Sequence, residues 1–143
     1  MSAFIALVAL ILQHGGAAQR LDDAALRAAY ADKTHISAYR EDVPEYGGTY
    51  FVETYMSDGS LSYRAGGLDL VGAWRVENGI ICFDYADTPL VPGCFVVIHE
   101  AGCYYSYQVD RTGRAIGLSE GDWWIRAYVE GTDPQCASAA LVS

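Results

Sequence analysis

Three hydrophobic patterns follow one another along the chain. Residues 3–12 are apolar without a break and lead into the small-residue run Gly15-Gly16-Ala17-Ala18. "LDDAALRAAYADK" then spaces Leu21, Ala25, Leu26, Ala29 and Tyr30 as one helical face, with Asp22 placed to cap it and Lys33 near its end. "ISAYREDVPEYGG" reads as a loop because charges, Pro44 and a Gly pair interrupt any period. From Thr49 onward, short runs rich in aromatic and β-branched residues alternate with turn signals. These runs are "TYFVETYM", "LSYRA", "GAWRV", "IICFDY", "CFVVI", "CYYSYQV", "GRAIG" and "WWIRAYV". Asn78-Gly79 between two of them marks a two-residue hairpin turn, since both residues accept positive φ. The pattern predicts an all-β fold, a small antiparallel barrel or sandwich of seven or eight strands with one N-terminal helix.

The first apolar run changes how the rest is read. Ten residues of helix span about 15 Å, half a bilayer core, so the run is too short for an anchor. Followed by small residues, it has the form of a secretory leader ending near Ala18. The expected organisation is a leader over 1–18 and one β domain over 19–143, located in the periplasm or outside the cell. No later segment is long and apolar enough to span a membrane.

Cysteines fit that compartment. Cys82, Cys94, Cys103 and Cys136 form an even set, read as two disulfides. A hairpin of "IICFDY" and "CFVVI" centred on Thr88 places Cys82 and Cys94 opposite each other, within bridging reach. The next turn centres near Ala101, which sets Cys103 opposite Ile98 or His99 rather than Cys94. The expected bridges are therefore Cys82–Cys94 and Cys103–Cys136. No Cys-X-X-Cys spacing supports a redox site.

Charge narrows the partners. Nine basic and 18 acidic residues give a net charge of −9, which repels nucleic acid and steers cationic partners inward. "GLSEG" matches G-x-S-x-G around Ser119, but a strand pattern follows where a nucleophile elbow needs a helix. His35, His99, Glu100 and Cys103 have no metal-ligand spacing, so neither metal nor cofactor is expected. The acid pairs Glu120/Asp122 and Asp84/Asp87 read as solvated faces rather than a glycosidase pair. The aromatic candidates are Tyr50, Tyr63, Trp74, Tyr105, Tyr107 and Trp123. They either fill the barrel or line a site for a small apolar ligand, with hydroxyls as polar handles.

The segment "GAWRVENGIICFDYADTPLVPGCFVVIHEAGCYYSY" resembles a broad group of small exported bacterial proteins of unknown function. The shared positions are Gly72, Trp74, Val76, Cys82, Phe83 and Cys94, and Gly72-Ala73-Trp74 is similar to the lipocalin G-x-W signature. The resemblance implies a lipocalin-like β domain and brings no catalytic residues. The resulting expectation is a non-enzymatic envelope protein that binds a small apolar molecule or a protein. A lysozyme-inhibitor-like role against a basic hydrolase is the charge-based alternative, and a hydrolase using Ser119 stands behind it.

Overall fold

Antiparallel connections fold the alternating segments into a continuous meander, with two-residue turns at 66–67, 78–79 and 101–102. The computed structural model describes residues 17–86, 90, 92–116 and 122–136. Its elements are β1 (Gln19–Arg20), α1 (Asp23–Tyr30), β2 (Lys33–Val43), a 3-10 turn (Pro44–Tyr46), β3 (Gly48–Tyr55), β4 (Ser60–Ala65), β5 (Leu68–Glu77), β6 (Ile80–Asp84), β7 (Gly93–Glu100), β8 (Cys103–Val109) and β9 (Ile125–Val129). Every pairing is antiparallel. Strands β2 to β9 pair in sequence order, and β9 returns to β2, so they close an eight-stranded barrel. The short β1 adds to β7 beyond the end of its pairing with β6. Closure leaves the eight-strand ring without an open edge.

The turns explain the register. Asn78 and Gly79 have φ of 55° and 74° and set Glu77 against Ile80, as the sequence predicts. Ala101 and Gly102 do the same between Glu100 and Cys103. That turn lies half a residue later than expected, so Cys103 faces Glu100 rather than Ile98 or His99.

Two sequence expectations are corrected. The segment read as a loop is mostly β2, an 11-residue strand. Its inward side chains are His35, Ser37 and Tyr39, too polar to show an apolar alternation, while Ala38 is buried on the other face. "GRAIG" contributes only a bridge between Val109 and Ala115 among its described residues. The eighth barrel strand is therefore β2, not this segment. The leader falls almost wholly outside the described residues.

Helix α1 closes one end of the barrel. Asp22 caps it by accepting from the Ala25 N–H at 2.9 Å. The helix ends at Tyr30, so its C-terminal cation is Arg27, and Lys33 already belongs to β2. Leu26 and Tyr30 are buried, and the Tyr30 ring lies 4.4 Å from His35 and 5.0 Å from Tyr55. Arg27 Nη2 donates to Val76 O at 3.1 Å, and the Gly79 N–H donates to Asp23, so the helix is tied to the β5–β6 hairpin.

Both expected disulfides are present. Cys82 and Cys94 are direct cross-strand partners on the outer face of β6 and β7. Cys103–Cys136 fastens the C-terminal segment to β8, where Tyr105 and Trp123 pack beside it. Among the described residues no helix is long and apolar enough to cross a membrane.

Leu26→Ala, which opens a void under the plug, lowers unfolding free energy by about 3 kcal/mol in urea titration. Tyr50→Ala, on a residue 71% exposed, changes it by less than about 0.5 kcal/mol. Equal effects would contradict the burial pattern. Replacing Cys82 and Cys94 together by Ala costs about 3 kcal/mol by the same measurement, from loss of the closed loop.

Candidate functional site

With α1 filling one end, free space remains at the other. A cavity of about 480 Å³ lies where β2, β6 and β8 end and β3, β7 and β9 begin. Its walls are mainly rings, from Tyr39, Phe51, Phe83, Tyr85, Phe95 and Trp124. Tyr46 of the 3-10 turn adds a further ring, and the exposed Glu45 marks the mouth. This size and composition fall within the range of small-molecule sites.

The wall around Tyr46 is fixed by backbone contact. A Cβ on Gly47 would stand 2.4 Å from the Ala65 carbonyl oxygen, and Gly47 has φ of 96°. Only glycine lets the 3-10 turn lie against the β4–β5 hairpin in this way. Tyr63 then donates to the Tyr46 carbonyl at 2.6 Å, and its hydroxyl lies 2.9 Å from that of Tyr39. With the Tyr63 proton committed to the carbonyl, Tyr39 is the donor of the pair. Burial pushes Tyr63 up to about 12 and Tyr39 higher still, so both hydroxyls keep their protons.

Glu53 supplies the cavity with a buried carboxyl group. It lies on the inward face of β3 between Phe51 and Tyr55 and is 3% exposed. Tyr55 donates to Oε1 at 2.9 Å, and Tyr85 donates to Oε2. Burial raises its pKa to about 7, against the opposing effect of the hydroxyls of Tyr85 and Tyr55. Both tyrosines are pushed well upward, first by burial and then by the Glu53 charge, so they act as permanent donors. Among the described residues, no Lys, Arg or His lines this cavity.

Directly across the strand pair, His35 faces Glu53 in register without forming an ion pair. Its Nε2 lies 2.9 Å from the Ala29 carbonyl, which can only accept, so the ring proton is on Nε2. Nδ1 has no partner, and neither has the hydroxyl of Ser37, two residues along the same inward face. Burial lowers the His35 pKa to about 4, and the neutral ring stacks on Tyr104 and lies tilted against Tyr30.

The aromatic residues singled out in the sequence lie elsewhere. Tyr63 and Trp74 point into the barrel but behind the cavity wall. Tyr63 holds Tyr39, and Trp74 donates its indole N–H to Met56 O at 2.8 Å. Tyr50 is exposed on the outer face of β3. Tyr105, Tyr107 and Trp123 pack outside the barrel beside Cys103 and Cys136. None of the six lines the cavity: Tyr63 and Trp74 are inside but lie behind its wall, and strand parity turns Tyr50, Tyr105 and Tyr107 outward. The residues that do line it were missed, though "FVET" and the Tyr that follows carried a signal. Period two puts Glu53 on the face shared by Phe51 and Tyr55, and a charge between two core rings is a buried charge.

The remaining candidates are dispersed. His35 is inside the barrel, His99 stacks on Tyr104 at 4.5 Å, and Cys103 is oxidised. Among the described residues no three His, Cys, Asp or Glu side chains form a metal-sized cluster. Asp122 pairs with Arg40 at 2.8 Å, and the Arg40 guanidinium lies over the Trp123 ring. Ser119, Glu120 and Asp87 lie outside the described residues. No protein-family model matches the chain, and no curated protein or solved structure matches it.

The two buried groups across β2 and β3 give opposite pH responses. Glu53 loses its proton near pH 7 in the native state but near 4.5 when unfolded, so its contribution to stability falls as pH rises between these values. His35, near 4 when native and 6.5 when unfolded, makes stability fall as pH drops through that window. The slopes largely cancel in the parent protein. Glu53→Gln removes one of them, so its stability relative to the parent rises by about 3 kcal/mol between about pH 4.5 and about pH 8. A difference that does not change with pH would place the Glu53 pKa near its ordinary value.

Proposed function

We propose that this is a non-enzymatic binding protein that takes a small, largely apolar molecule into the open end of its barrel. The observation that carries the reading is the ring-lined cavity of about 480 Å³, with Glu53, Tyr39 and Tyr85 as its polar points. A barrel interior filled only by its own side chains has no such space. Aromatic walls bury ligand surface at low entropic cost, and a few fixed polar groups orient what enters. The two disulfides fit an oxidising location, and with the leader-like residues 1–18 we place the protein in the periplasm or outside the cell. A basic protein on the acidic exterior is the competing reading, and one assay separates the two.

N-phenyl-1-naphthylamine, a neutral fluorophore that brightens in apolar surroundings, binds the protein at one saturable site with Kd of roughly 1–10 µM. Gln108→Trp, which puts a ring into the cavity from β8, abolishes that signal, whereas Tyr105→Ala on the outer face leaves it unchanged. Loss of signal in Tyr105→Ala alone would move the site to the outer aromatic cluster. No saturable binding to the parent protein would remove the small-molecule reading.

A further inference from the structure

Resting on the ligand-binding reading, we infer that the molecule taken up is an amphiphilic amine, whose ammonium group pairs with Glu53 while its apolar body lies among the rings. Glu53 is a carboxyl group enclosed by protein, and its two hydrogen-bond donors are both neutral hydroxyls. A carboxylate has about four acceptor positions, so the two bonds leave capacity for a further donor from the cavity.

The surroundings set the sign of that donor. The groups facing Glu53 are Tyr55 on its own strand, Tyr63 on β4, Tyr39 and the neutral His35 on β2, Tyr30 on α1 and Tyr85 after β6. None is cationic at neutral pH. Glu45 at the mouth adds a second acid. An anionic ligand would meet two carboxyl groups and no counter-charge among the described lining residues, which is repulsive. A neutral ligand would leave an ionised Glu53 uncompensated. An ammonium supplies the missing charge and at least one N–H donor, in a charge-assisted bond stronger than any a neutral group offers.

The rings favour the same ligand. Tyr39, Phe51, Phe83 and Tyr85 line the cavity together with Glu53. Aromatic faces attract cations, and more strongly when water is excluded. The net charge of −9 also draws cations toward the protein before docking.

The test uses three ligands with one apolar body: 1-naphthylmethylamine, 1-naphthalenemethanol and 1-naphthaleneacetic acid, titrated by calorimetry into the full mature protein. At about pH 8 the amine binds at least about tenfold more tightly than the alcohol, and the acid binds more weakly than both. Between about pH 8 and about pH 5.5 the amine, charged throughout, loses up to about thirtyfold in affinity as Glu53 takes its proton. Alcohol binding stays unchanged over the same range. Glu53→Gln abolishes the preference for the amine and retains the alcohol. The pH series uses the unaltered protein and does not depend on how the variant folds. An alcohol that binds as tightly as the amine at about pH 8 overturns the ammonium assignment and leaves the small-molecule reading standing. Binding of none of the three overturns both.

Discussion

A carboxyl group held inside an aromatic barrel without a cation is the constraint on which the interior depends. Removing a carboxylate from water is unfavourable by several kcal/mol, and the protein offsets this with hydroxyl donors rather than a salt bridge. Tyr55 and Tyr85 reach Glu53 from β3 and from the end of β6, so two distant parts of the meander must be in place together. The neutral His35 opposite is the corollary. A histidine able to charge at that position would form the ion pair that the structure lacks, and its only bond instead fixes the ring to the Ala29 carbonyl of α1.

This polar centre divides the barrel into two unlike halves. Toward α1, the rings of Tyr30, His35, Tyr55 and Tyr104 pack against one another, and Leu26 seals the end. On the other side of Glu53 the walls stay apart, held by the Tyr39–Tyr63–Tyr46 chain and by the glycine contact of the 3-10 turn. The disulfides stand outside this arrangement. Cys82–Cys94 joins β6 and β7 on their outer face, and Cys103–Cys136 pins the tail against β8. They constrain the frame and leave the interior free of sulfur chemistry. The outer edge-to-face contact of Tyr105 with Trp123 belongs to that frame as well.

The frame was legible in the sequence because its signals are local. Asn78-Gly79 marked a turn, Asp22 marked a cap, and the symmetric spacing of Cys82 and Cys94 revealed a cross-strand pair. The interior was harder to read because aromatic residues occur on both faces of the strands. In "CYYSYQV", Tyr104 and Ser106 face inward while Tyr105 and Tyr107 are outside, so the larger aromatic set marks the wrong face. Covering of the outer face by Trp123 and the tail makes this possible, and nothing within β8 announces it. In β2 the inward residues are polar, which hid the strand altogether. Glu53 lay between these extremes. Its position between Phe51 and Tyr55 was visible, but its tyrosine partner at position 85 comes from another hairpin and required the closed barrel to be known.

The most direct test of the central claim is an NMR titration of the Glu53 side-chain carboxyl carbon in protein labelled at glutamate. The expected midpoint is near pH 7, well above the ordinary carboxyl value, and it moves downward when 1-naphthylmethylamine is present. A midpoint near the ordinary value of 4.5 would show that Glu53 is solvated, and the buried-carboxyl account of this barrel would be contradicted.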